Sequence, residues 1–217
     1  MQISLFPLQS VLFPDGALPL QIFEVRYLDM IARCHRAAQP FGVVCLTQGA
    51  EVQQAAAVPG GDGFANEAFH PIGTLARIDD LARPQPGLMR VQCTGTQRFR
   101  VVNSARQKFG LWTAEVELIP ADTPVPVPDD VAFTRLALQR LAQQLEQASA
   151  QDGEPAVLAM TLPHRWDDCG WLANRWCELL PLAPALKQRF MALDSPVLRL
   201  ELVADTLGQM GFALPAG

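Results

Sequence analysis

Two hydrophobic rhythms divide this chain. Over much of residues 1–120 apolar and polar side chains alternate with a period near two, whereas beyond residue 128 apolar residues recur at helical spacing. The first rhythm separates the two faces of a strand, and the second marks one stripe of a helix. In the first half, Leu18-Pro19-Leu20-Gln21-Ile22-Phe23 alternates imperfectly after Pro14-Asp15-Gly16, a turn signal. From Val25 to Ala38 the spacing becomes helical. Tyr27, Leu28, Ile31, Cys34 and Ala38 fall on one side and Asp29, Arg33 and Arg36 on the other, with Pro40 beyond the end. Residues 41–47 form a short β-rich run consistent with a buried strand. Strand patterns resume at residues 72–78, turn at residues 84–87, and continue from Leu88 to Asn103. There Met89, Val91 and Cys93 take one face and Arg90, Gln92 and Thr94 the other. A last strand runs from Leu111 to Ile119. Six or seven strands with bulge-friendly glycines predict a closed or nearly closed barrel, with Phe6, Phe13 and Phe23 filling it.

Between these strands, residues 49–70 are dominated by Ala, Gln, Gly and Pro and read as a mobile surface excursion without a core of its own. Four prolines in residues 120–128 prevent both helix continuation and central-strand pairing there and mark a connector. Helical patterns follow. Asp129 or Asp130 caps a helix with Phe133, Leu136, Leu138, Leu141 and Leu145 as its expected buried stripe. Asp168-Cys169-Gly170 opens a second, carrying Leu172, Trp176, Leu179 and Leu180 and stopped by Pro181. Ala183-Pro184 starts a third, and Ser195-Pro196 a fourth, with Leu198, Leu202 and Leu207 expected to point inward.

Composition narrows the function. The net charge is -5, from 17 basic and 22 acidic residues. Residues 1–120 hold 10 of each sign, leaving 12 acidic against 7 basic in residues 121–217. A nucleic-acid binder gains most of its affinity from excess Lys and Arg, so this balance disfavours nucleic acid as a partner. The sequence offers no apolar run long enough to span a membrane and no leader pattern at its start. Five cysteines without a Cys-x-x-Cys pair point to a reducing cytoplasm and buried thiols.

Candidate chemistry is sparse. Glu24 could be read as a general base, but no partner acid or nucleophile stands at a recognisable spacing, and an ion pair at the helix start is the expected role. Arg98 and Arg100 alternate with Phe99 and are expected on a solvated strand face; they are also the best hint of RNA binding. His35, His70 and His164 have no metal-ligand spacing with the cysteines. Trp166, Trp171 and Trp176 crowd one short stretch. With Phe109 and Trp112 they form the candidate peptide-contact surface, because large aromatics dominate binding hot spots.

In order along the chain stand Phe6-Pro7-Leu8, Val11-Leu12-Phe13-Pro14, Leu18-Pro19-Leu20, Ile22-Phe23-Glu24 and Arg26-Tyr27. Gly73-Thr74-Leu75-Ala76-Arg77-Ile78 and Gly95-Thr96-Gln97-Arg98-Phe99-Arg100-Val101 follow, and then Leu180-Pro181-Leu182 and Leu198-Arg199-Leu200-Glu201. This succession resembles the N-terminal domain family of Lon proteases. The resemblance implies an α+β fold: a PUA-like β-barrel with one inserted helix over residues 1–120, a connector over 121–128, and a C-terminal α-helical bundle over 129–217. It further implies a binding module rather than an enzyme, with no cofactor and no metal, which takes unfolded or partner polypeptides through their exposed apolar segments. The Gly-x-x-x-x-Gly-Lys-Ser/Thr loop of an ATPase module is nowhere in the chain. A stand-alone domain is therefore expected. Its alternatives are an RNA-binding barrel or an adaptor docking on a separate ATP-dependent protease.

Overall fold

The computed structural model describes residues 1–50, 66–152 and 163–211, the side chains of residue 108 and residues 148–152 excepted. Most of the 49–70 excursion therefore lies outside the described residues. Among the described residues seven strands and five α-helices follow in the order β1 (Gln2–Leu8), β2 (Ala17–Ile22), α1 (Val25–Ala37), β3 (Phe41–Gln48), β4 (Ala68–Phe69), β5 (Ile72–Gln85), β6 (Leu88–Arg106) and β7 (Trp112–Leu118), then α2 (Phe133–Asp152), α3 (Cys169–Leu179), α4 (Pro184–Met191) and α5 (Pro196–Gln209). The fold is α+β, as the alternation of rhythms predicts. Two compact units emerge: residues 1–121 with 183–189, and residues 122–182 with 190–217.

In the first unit the sheet closes on itself. Its strands run β1-β7-β6-β5-β3, and β1 also pairs with β3, completing the ring. The β1–β3 pairing is parallel, with Leu5 opposite Gly42 and Leu8 opposite Cys45, while the other pairs are antiparallel. A parallel neighbour requires a long crossover, here supplied by β2 and α1. Both faces of β1 and β3 are consequently covered. Ile3, Leu5, Val44, Leu75, Phe99, Ala114 and Val116, drawn from all five ring strands, fill the ring. Phe6, Leu8 and Val43 face the other way and pack with Tyr27, Met30 and Ile31 of α1. Each large side chain so buried contributes roughly 1.5–3 kcal/mol. Glycine is required at Gly95, where a Cβ would collide with the Phe13 carbonyl oxygen, and at Gly73, where it would strike that of Val43.

In the second unit α3 is buried on every side from Cys169 to Cys177. Its cap, Asp168, accepts from the amides of Gly170 and Trp171. The connector is tied to it, since the Cys169 amide donates to the Val125 carbonyl at 2.9 Å. Arg199 of α5 holds the unit's polar centre: Nη1 donates to Asp122 Oδ2 (2.6 Å) and Asn174 Oδ1 (3.1 Å), Nη2 to the Leu193 carbonyl (2.5 Å), and Nε to that of Phe190 (3.1 Å).

Five side chains depart from the sequence-based expectation. Phe6 is buried, but against α1 on the outer face of the ring and not inside it. Phe23 is 57% exposed, because Ile22 before it takes the inward position and a strand's next residue must face out. Leu198 is exposed: the buried stripe of α5 is Leu200, Val203, Ala204 and Leu207, which Leu198 precedes by more than half a turn. Leu136 is exposed for the same reason, the buried positions around it being Val131, Thr134, Leu138 and Ala142. Arg98 is buried while Arg100 is exposed, so the pair does not form one solvated face. Strand parity sets which face a side chain takes, and not how exposed that face is.

Candidate functional site

An open pocket of about 760 Å³ lies on the first unit. Arg26, Asp29, Arg33 and Arg36 line it from α1. Steps of three and four residues place them along one helical face. Gln107, Phe109 and Leu111 of the β6–β7 connection complete the lining with Gln2, Ser4, Ala32 and Thr113.

The connection is a tight turn. The Gly110 amide donates to the Gln107 carbonyl at 3.1 Å, and the Gln107 amide to that of Leu111 at 2.7 Å. Two successive residues are left-handed, Phe109 (φ 65°, ψ 16°) and Gly110 (φ 77°). Glycine accepts that conformation freely, whereas a phenylalanine in it costs about 1–2 kcal/mol. Phe109 is also 79% exposed. A strained backbone that displays a large apolar side chain to water is a feature that folding alone does not favour.

Arg26 anchors the turn. It is buried, and its Nη1 donates to the Gly110 carbonyl at 2.7 Å while Nε donates to Glu24 Oε2 at 3.0 Å. Its Nη2 lies 3.7 Å from Glu67 Oε1 and makes no hydrogen bond. Glu67, with a side chain only 4% exposed, also meets Arg106 Nη2 at 3.3 Å and accepts from Trp112 Nε1 at 2.7 Å. Such a buried carboxylate needs these donors to offset its desolvation. Burial holds the Tyr27 phenol above its ordinary range, and its ring stacks on Phe6 at 4.2 Å.

The five aromatic candidates divide between the units. Phe109 and Trp112 share the β6–β7 region; Trp112 is half-buried, edge-on to Phe69 at 5.3 Å. In the second unit Trp171 and Trp176 are buried, and Trp176 Nε1 donates to the Thr134 carbonyl at 3.0 Å. Trp166 is half-buried and edge-on to Trp171 at 5.1 Å, with His164 at 4.8 Å from it. Glu67 escapes a reading of the sequence because it falls in the Ala- and Gly-rich excursion, and the brief β4 beside it leaves no periodic signal. Glu24 forms the ion pair with Arg26 that its position suggests.

Among the described residues no group of His, Cys, Asp and Glu could hold a metal ion, and no helix is long and apolar enough to cross a membrane. Burial pushes the thiol of Cys93 up to about 12 and that of Cys169 to about 11, with Asp79 and Asp168 adding to it, and raises those of Cys34 and Cys45. These sulfurs stay protonated at neutral pH and are poor nucleophiles.

The fold has solved counterparts. A Lon N-terminal domain protein from Xanthomonas campestris superposes with a TM-score of 0.70 at 26% identity, covering 94% of this chain and 98% of that one. The N-terminal domain of a Mycobacterium avium complex Lon protease shares the fold, with a TM-score of 0.58 at 13% identity, over 94% of this chain and 97% of its own. No curated protein sequence gives a significant match. The family model of the ATP-dependent protease La (LON) substrate-binding domain matches residues 2–209, and the chain belongs to that family.

Proposed function

We propose that the protein is a non-catalytic polypeptide-binding module that captures exposed apolar segments of unfolded or partner proteins at the Phe109 pocket. One observation carries this reading: an exposed phenylalanine is held in a strained, left-handed backbone at the edge of an open pocket, anchored from below by buried Arg26. Membership of a substrate-binding family supports it. Phe109 offers contact area at low entropic cost, since an aromatic ring has only two torsions to fix. Trp112, edge-on to Phe69, lies in the same unit beside this turn, whereas Trp166 belongs to the other unit and does not line the pocket. Trp171 and Trp176 are enclosed and support their own unit instead. The test is a fluorescence-polarisation titration of the purified protein against a labelled, permanently unfolded polypeptide. A saturable rise, competed by unlabelled unfolded chains and weakened by Phe109→Ala, is expected. A flat trace at high protein concentration would sink the reading.

A further inference from the structure

The geometry points to a carboxylate subsite in the Phe109 pocket: Arg33 and Arg36 receive an acidic side chain of the bound polypeptide, next to an apolar residue resting on Phe109. This rests on the polypeptide-binding reading and specifies its ligand. The pocket's charge is lopsided in a chain whose net charge is -5. Three arginines, Arg26, Arg33 and Arg36, line it against one carboxylate, Asp29. The positive charge of Arg26 is already matched by Glu24 and Glu67. Arg33 and Arg36 are different: among the described residues their side chains enter no ion pair or hydrogen bond. Both are exposed, three residues apart on one helical face, so both guanidinium forks reach the same opening. Gln107, Ser4 and Thr113 add neutral polar groups to the lining.

A single carboxylate suits this site better than a phosphate chain. Asp29 stands in the wall and would repel each further charge of a polyanion, whereas one side-chain carboxylate is matched by two arginines that pair with none of the described residues. The pairing of Phe109 with these arginines then favours an apolar residue flanked by Asp or Glu.

Two fluorescein-labelled unstructured peptides test this, identical except that aspartates flanking a Leu-Phe pair in one are asparagines in the other. With the native protein the acidic peptide should bind about tenfold more tightly, the gain expected of charge-assisted hydrogen bonds, and the advantage should shrink in high salt. In the doubly substituted Arg33→Gln, Arg36→Gln protein the two peptides should bind alike, at the affinity of the amide form. Because both arginines are exposed, the fold should survive these changes, with unchanged circular dichroism as the control. Equal affinity of the two peptides for the native protein overturns the subsite while leaving polypeptide binding intact. Failure of both peptides to bind overturns both readings. Binding of a single-stranded RNA oligonucleotide in preference to either peptide, lost in the same double variant, overturns the carboxylate assignment in favour of phosphate.

Discussion

Arg26 and Arg199 are both buried arginines, one in each unit, and they are satisfied to different degrees. Every nitrogen of Arg199 donates, to Asp122, Asn174 and two helix-end carbonyls. Arg26 uses Nε and Nη1 well but leaves Nη2 without a hydrogen bond, and it lines an open pocket. A fully satisfied guanidinium fixes a fold, because any other arrangement would strand several groups at once. An incompletely satisfied one beside an opening holds a site in shape while keeping some of its hydrogen-bonding capacity in reserve.

That contrast can be broken by substitution. Arg199→Met should cost about 3–5 kcal/mol in urea unfolding, because a buried ion pair with Asp122 and three further hydrogen bonds of the guanidinium are lost together; a loss below about 1 kcal/mol would remove Arg199 as the lock of its unit. Arg26→Met should cost less, about 1–3 kcal/mol, since Glu67 keeps Arg106 and Trp112 as partners, and it should also weaken polypeptide binding by loosening the 108–110 turn. If the two variants lose equal stability, the distinction between them fails. Phe109→Asn should raise stability by about 0.5–1 kcal/mol, because asparagine tolerates the left-handed backbone, while binding falls. Stability and binding moving together in that variant would contradict a strained recognition residue. The smallest effect concerns Cys93. Its thiol rises from an ordinary 9.0 to about 12, so the unfolded chain loses its proton first as the solution becomes alkaline. Stability present below pH about 9 should therefore decline as the pH climbs toward about 12, and urea midpoints of Cys93→Ala should decline less steeply over that range.

Much of the scaffold was legible in the residues themselves. Asp168 and Ser195 announce their helices because capping is local chemistry, and α1 declares itself by spacing. Met89, Val91 and Cys93 alternate inward as written. Side-chain type points Phe23 and Leu198 inward, and strand or helix phase overrules it. Arg98 has a different cause: it is buried although its neighbour two residues on, Arg100, is exposed, and alternation alone cannot separate the two. The site was less legible than the fold: Phe109 was selectable as an aromatic, but its positive φ is set by the turn, and Glu67 comes to Arg26 and Trp112 only through tertiary pairing of distant segments.

The closed ring carries a consequence for the order in which the chain acquires its shape. β1 is bordered on one side by β3 and on the other by β7, a strand more than a hundred residues later. On the ribosome the earliest strand must wait, one edge bare, until Trp112–Leu118 has emerged. Joining ends so far apart in sequence is slow relative to local helix formation, and the waiting edge is a place where nascent chains can pair with each other. The last seam of the barrel is therefore sewn by its first strand.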